Sequence, residues 1–287
     1  MSSFDPPATA VREAVSRALA EDLGPLGDLT AALLPAGVSA VADLVPRAVG
    51  VLAGNLAATE AFLQVDPGVA VRWYADDGDD VVAGVAVGEV SGPLASILTA
   101  ERTALNFLGH LSGVATLTHR FVAVAAGGGR TRIRDTRKTT PGLRALEKAA
   151  VRAGGGLNHR GSLSDGVLVK DNHLAGIGVS QAVGRTRALW PGRAVQVECD
   201  TVEQVQAAAD ANAELVLLDN MTPEQVRRCV ELVAFRCLVE VSGGVNLATV
   251  AAYADAGADL ISVGAITHSA PVLDIGLDVR PQPASGA

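Results

Sequence analysis

The 287-residue chain has three lysines, Lys138, Lys148 and Lys170, and three cysteines, Cys199, Cys229 and Cys237. The cysteines show no metal-site spacing. Such an odd, sparse set suits a reducing cytoplasm and reads as small core residues. No apolar run reaches the roughly 18–20 residues that span a bilayer. The opening "MSSFDPPATAVREAV" has no basic start followed by an apolar block. Neither a membrane segment nor a secretory signal is expected, and the location expected is cytoplasmic. The chain lacks a Walker A loop and a GxGxxG after a first strand, which excludes those nucleotide-binding types. No Cys/His cluster has zinc spacing. A net charge of −8 argues against nucleic acid as a partner.

What is present is globular, with 49% hydrophobic and 19% charged residues and enough length for one large domain or two ordinary ones. The charge is unevenly placed. From Arg130 to Lys170 there are ten Arg/Lys residues against three acids, Asp135, Glu147 and Asp165. That window is +7, so the rest of the chain carries −15. A cationic pocket in an acidic protein points to a small anionic ligand; a solvated basic face is the plainer alternative.

"AVREAVSRALAEDLG" reads as an amphipathic helix with Val11, Val15, Ala18 and Leu19 on one stripe. Residues 38–92 read as short β-like runs broken by Gly, Asp and Pro, with "DDGDDV" as an acidic turn. "LASILTAERTALNFLGHLSGVATLTHRFVAVA" reads as one or two long helices. Strands then alternate with helices: candidates at 132–137, 166–171, 194–200, 214–220, 237–244 and 260–266 imply a parallel sheet with right-handed crossovers. Six strands are too few for an eight-fold barrel. Nearly every strand, however, ends in polar residues or glycine, which is the mark of a barrel site; an open sheet would gather them at one switch point.

The strand ends fall into three kinds. Early ones bring cations (Arg137, Lys138, His159, Arg160, Lys170), middle ones acids (Glu198, Asp219), and late ones glycines ("SGG" at 242–244, "VGA" at 263–265). Arg and Lys clusters clamp carboxylates. Acids can hold ribose hydroxyls or a magnesium ion carried by a diphosphate. Glycine loops after late barrel strands let backbone N–H groups approach a phosphate. The ligands expected are a phosphorylated sugar and a polyanionic partner.

"DTRKTTPGLRALEKAAVRAGGGLNHR", "VKDNH", "LLDNM", "SGGVN" and "ISVGAITHSAPVLDIGLDV" resemble the quinolinate phosphoribosyltransferase family, the decarboxylating nicotinate-nucleotide pyrophosphorylases. "ALAEDLGPLGDLT" and "ERTALNFLGHLSGVAT" extend the resemblance over about residues 18–279. It implies an α/β fold: an N-terminal α/β sandwich over 1–112, an incomplete barrel of six or seven strands over 113–269, and a tail, 270–287, packed back on the sandwich. It also implies a homodimer with shared sites and a reaction joining quinolinate to phosphoribosyl pyrophosphate with Mg2+. The products are nicotinate mononucleotide, pyrophosphate and carbon dioxide. By the same resemblance Arg137, His159, Arg160 and Lys170 hold quinolinate, and Arg102 reaches the neighbouring subunit's site. Lys138 stands near both substrates, Glu198 and Asp219 face ribose and metal, and Ser242, Gly243, Gly264 and His268 take the 5-phosphate. Lys138, Lys170, Glu198 and Asp219 are the catalytic set it implies. "QVECD" departs from the usual "EVEVD": Gln196 replaces an acid and shares a face with Glu198.

Singly, each residue has a bland alternative, Arg160 as a surface ion-pair partner and His268 as a cap among them. Arg144, Lys148 and Arg152, at i, i+4 and i+8, read as a solvated helical face with no catalytic role. Leu105, Phe107, Leu108 and Leu111 suit either a dimer interface or burial within one subunit. Two rival activities stay open: phosphoribosyl transfer to another aromatic acid, and a Schiff-base aldolase using Lys170.

Overall fold

The computed structural model describes residues 4–174 and 176–281. Residues 1–3 and 282–287, the extreme ends of the expected domain and tail, lie outside the described residues. In chain order the elements begin with α1 (Ala8–Leu23), β1 (Ser39–Pro46), β2 (Gly50–Val51), α2 (Asn55–Val65), β3 (Ala70–Trp73), β4 (Asp80–Val81), β5 (Gly88–Pro93) and α3 (Leu94–Ala125). There follow β6 (Arg132–Arg134), α4 (Arg144–Ala153), β7 (Val167–Val169), α5 (Asp171–Leu174), α6 (Val179–Leu189), β8 (Val195–Cys199) and α7 (Val202–Asp210). The last are β9 (Leu215–Asp219), α8 (Pro223–Val233), β10 (Leu238–Ser242), α9 (Val250–Asp255), β11 (Leu260–Ser262), α10 (Ala265–His268) and β12 (Ile275–Pro281). No helix among the described residues is long and apolar enough to cross a membrane.

The chain forms two compact units, the first comprising Met1–His119, Thr139–Gly155 and Ser269–Ala287, the second Arg120–Lys138 and Gly156–His268. In the first, an antiparallel sheet runs β12-β1-β5-β3. β1 alternates as a half-buried strand should, with Ala40, Ala42 and Leu44 inside. α1 buries Val11, Ala14, Val15 and Leu19; Ala14 takes the place expected for Ala18, which is half-buried. The acidic run is a turn: Asp79 accepts from the Asp76 N–H at 2.8 Å, and Asp77 accepts from Gly54 and Asn55 at the start of α2. α3 is one uninterrupted helix of 32 residues. Leu105, Phe107, Leu108 and Leu111 are at most 7% exposed within the chain, so they are core residues here.

The solvated face expected on α4 is not found. Lys148 is buried, Arg144 and Arg152 are half-buried, and Leu146, Glu147, Ala149, Ala150, Val151 and Ala153 are buried around them. Arg144 Nε donates to Thr139 Oγ1 at 3.0 Å, and Arg152 Nη2 to the Phe4 carbonyl at 2.8 Å. Charge at helical spacing signals a solvated face only when the opposite side alone is packed; α4 is enclosed on all sides.

The second unit is a parallel sheet in the order β6-β11-β10-β9-β8-β7. Its first strand pairs with its last, Arg132 with Leu260 and Ser262 with Arg134. With the first strand set beside the last, the sheet has the strand order of a barrel. Leu157 adds a single parallel bridge to Arg134, and among the described residues no pairing joins it to β7, so the ring keeps one open seam. Residues alternate by layer: Val195, Val197, Val216, Leu218, Val239 and Val241 are buried, while Gln196, Glu198, Asp219, Glu240 and Ser242 take the other parity. Thr201 and Thr222 close capping boxes with Gln204 and Gln225, fixing where α7 and α8 begin after strands β8 and β9. Cys199 and Cys229 are buried, and burial pushes the Cys199 thiol up to about 12.

Gly113 on α3 shows how closely the first unit is packed. A Cβ there would overlap the Pro271 carbonyl oxygen and lie 3.1 Å from Val272 Cα. We expect Gly113→Ala to cost about 1–3 kcal/mol, the usual penalty of overpacking. Thermal denaturation should show a fall of several degrees; an unchanged midpoint would contradict this packing.

Candidate active site

The barrel's strand ends gather around a cavity of about 260 Å³. Thr136, Arg137 and Lys138 enter from the end of β6, and His159 and Arg160 from the loop before β7. Lys170, Glu198, Asp219, Ser242 and Ser262 come from β7 to β11, with Leu168 and Leu217 as its apolar surface. Eight of the residues expected from the sequence therefore meet in one place. Lys170 Nζ donates to Glu198 Oε2, joining an early-strand cation to a middle-strand acid. Asp219 Oδ2 accepts from Asn220 Nδ2 at 2.8 Å.

The cationic wall is anchored from behind. Asp135 is fully buried and accepts from the His159 N–H at 2.7 Å and Asn158 Nδ2 at 2.6 Å. Arg160 Nη1 donates to the Gly166 carbonyl at 2.9 Å, while its Nε is buried without a hydrogen-bond partner. Burial, then the neighbouring Arg137 charge, holds the Arg160 guanidinium below its ordinary value, and Asp165 partly offsets this. Arg137 and Arg160 thus bring two neighbouring guanidiniums to one wall of the cavity, chemistry that suits an anion.

Lys138, Gly264 and His268 form a second cluster. A Cβ at Gly264 would lie 3.1 Å from His268 Nε2 and 3.2 Å from Lys138 Cδ, tighter than ordinary contact, so a larger residue there would make these side chains shift. Thr267 Oγ1 donates to the Lys138 carbonyl at 2.8 Å, tying the β6 loop to α10. Gly243 has φ +94°, and a Cβ there would stand 2.8 Å from the Asn220 nitrogen. Arg102 lies exposed on α3 in the first unit. Gln196 is not among the cavity's lining residues: it sits buried one layer lower, hydrogen-bonded to His159 and Glu240, so its neutral side chain leaves the cavity wall itself unchanged.

Among the described residues no group of three or more His, Cys, Asp or Glu side chains is gathered as a metal cage. Glu198 and Asp219 remain as two carboxylates from adjacent strands.

Models of the quinolinate phosphoribosyltransferase N-terminal and C-terminal domains match residues 28–112 and 114–278. The chain belongs to the quinolinate phosphoribosyltransferase family. A nicotinate-nucleotide pyrophosphorylase (carboxylating) of Mycobacterium leprae is 44% identical over 94% of this chain and 97% of its own. A Bacillus subtilis protein, a probable nicotinate-nucleotide pyrophosphorylase (carboxylating), is 40% identical over 90% of each. The solved nicotinate-nucleotide pyrophosphorylase of Francisella tularensis superposes with a TM-score of 0.92 at 37% identity, covering 98% of this chain and 99% of that one. Human nicotinic acid phosphoribosyltransferase, at 18% identity and a TM-score of 0.59, shares the fold alone.

Among the residues around the cavity, Ser262, Glu240 and the anchoring by Asp135 were not anticipated from the sequence, and Thr136 was given no role there. Alternation offered a signal for one of them: Glu240 is two residues before Ser242 and so shares its face. Asp135 and Thr136 belong to the polar run that ends the first barrel strand, and for Ser262 no local pattern exists. Gly243→Ala meets both a left-handed backbone and a backbone clash, whereas Gly244 has φ +62° and open space around it. Gly244→Ala should cost about 1 kcal/mol and Gly243→Ala clearly more. Equal chemical-denaturation midpoints for the two would refute this.

Proposed function

We propose that this chain transfers the phosphoribosyl group of phosphoribosyl pyrophosphate to quinolinate and releases carbon dioxide, giving nicotinate mononucleotide and pyrophosphate. Beyond family membership, the observation that carries this reading is the charge layout. Arg137, Arg160, Lys170 and Lys138 converge on one cavity, and Glu198 and Asp219 face it from the next strands. Quinolinate brings two carboxylates, which suit the paired guanidiniums and Lys170. Ser242, Gly243, Gly264 and His268 suit the 5-phosphate, with backbone freed by glycine.

The chemistry needs positioning more than a nucleophile. The quinolinate ring nitrogen attacks the anomeric carbon as the bond to pyrophosphate breaks. Positive charge grows on the ribose, and Glu198 and Asp219 stand where fixed carboxylates stabilise it. The carboxylate carbon then leaves as carbon dioxide. Its electron pair stays on the ring carbon beside the cationic nitrogen until that carbon takes a proton. The two hard carboxylates fit a Mg2+ brought with the diphosphate, since magnesium is ordinarily held by one or two carboxylates plus phosphate oxygens. Held by Glu198 and Asp219, such an ion would supply charge neutralisation for the leaving group. Lys170 is held as an ion pair with Glu198, and nothing in the site favours an imine-forming lysine. The three cysteines without disulfides suit a reducing cytoplasm.

The working unit proposed is a homodimer in which Arg102, exposed on α3, completes the partner's site. Mixing Arg102→Ala with Arg137→Ala chains under subunit exchange should restore about a quarter of wild-type activity, because about half the dimers are mixed and each regains one of two sites. No recovery despite proven exchange would return Arg102 to its own chain's site or to none.

The acceptor is tested with purified protein, Mg2+ and phosphoribosyl pyrophosphate, following the product by mass. Quinolinate should be turned over, and nicotinate at least about 100-fold less efficiently, because one carboxylate leaves desolvated cations unpaired. Comparable kcat/KM for the two acids would overturn the assignment.

A further inference from the structure

Beneath the cavity floor lies a buried polar cluster that the proposed chemistry does not use. Glu240, in the middle of β10, is fully buried. Its Oε2 accepts from Arg134 Nη1 at 2.9 Å and from Gln196 Nε2 at 2.6 Å, and its Oε1 accepts from Ser262 Oγ. Three donors from β6, β8 and β11 thus converge on one carboxylate. Arg134 Nη2 also donates to the Asn158 carbonyl at 3.1 Å, directly before His159. Gln196 Oε1 lies 3.1 Å from His159 Nε2, which is itself 3.7 Å from Glu240 Oε1.

The amide orientation of Gln196 follows from these partners. A carboxylate can only accept, so the side of Gln196 facing Glu240 must be its NH2. Its oxygen is then turned to His159, and an oxygen can only accept. The His159 ring nitrogen at that contact must carry the proton. The whole chain of hydrogen bonds has one consistent polarity, set at its far end by Arg134, which is always charged.

We infer that Gln196, oriented by Glu240, is a positioning residue that fixes His159 as its Nε2–H tautomer in one ring orientation. His159 lines the cavity proposed for quinolinate. A ring locked in one tautomer and rotamer meets its ligand without further ordering cost. Gln196 touches no substrate in this scheme; it acts through His159. Gln196 is 7% exposed and Glu240 0%, so both act from within the barrel, although Gln196 also borders a second cavity of about 360 Å³ shared with Arg134, Asn158 and His159.

The inference rests on the phosphoribosyl-transfer reading, and the test separates the two. Chains labelled with 15N in histidine report which ring nitrogen of His159 carries hydrogen, in long-range 15N–1H spectra recorded without substrate; a His159→Asn chain assigns the signals. Wild type should show Nε2–H alone. Gln196→Met keeps the volume but removes the acceptor, and should show a mixture of tautomers. It should raise KM for quinolinate about tenfold, the worth of one hydrogen bond, with kcat and the KM for phosphoribosyl pyrophosphate within twofold of wild type. A wild-type spectrum with hydrogen on Nδ1 overturns the inference without recourse to any variant, so a Gln196→Met chain that fails to fold does not shelter it. An unchanged tautomer and quinolinate KM in folded Gln196→Met overturns it as well. If wild type shows Nε2–H yet does not turn over quinolinate, the phosphoribosyl reading fails instead.

Discussion

A carboxylate buried in the centre of a barrel is the constraint on which the rest depends. Left alone, the Glu240 charge would cost several kcal/mol, so its neighbours must supply donors. They come from three other strands, Arg134 on β6, Gln196 on β8 and Ser262 on β11. Satisfying one group therefore sets the relative register of strands far apart in the chain. It also sets the level of the floor above which Lys170, Glu198, Asp219 and Ser242 project. The outer parity of the same strands is filled with Val and Leu, which gives the surrounding helices an apolar surface.

The site sets a guanidinium pair beside an ion pair, Arg137 and Arg160 on one wall and Lys170 with Glu198 on another. Asp135 accepts from the Asn158 side-chain amide and the His159 backbone N–H, and so fixes the loop that carries His159 and Arg160. Arg137 and Arg160 repel one another, and burial sharpens that repulsion. The fold holds them in place through backbone contacts such as Arg160 to Gly166. In the proposed reaction an incoming dianion would meet donors already oriented and partly buried, where electrostatic stabilisation is strongest.

The gross architecture was legible because it repeats. Strand–helix alternation with polar residues at each strand end is a pattern of period and order, and "TRKT" through "NHR" is a long, specific motif. That eight of the expected residues would meet in one cavity was legible for the same reason, since residues beyond successive parallel strands meet at one end of a barrel. Lys148 was misjudged because spacing reports which residues share a helix face but not what that face meets. Leu105, Phe107, Leu108 and Leu111 left two readings open on the same grounds, and burial within the chain decided between them.

The sequence by itself determined the fold class, the cation–acid–glycine order of the strand ends and the family, because all three are written in local composition and order. Tertiary structure alone decided that β6 closes on β11, that Gln196 lies below the cavity and that Glu240 orients it toward His159. The hydrogen bonds that do this join residues 37, 44 and 106 positions apart. At such separations the partner of a side chain is chosen by which strands become neighbours, and no local periodicity carries that information.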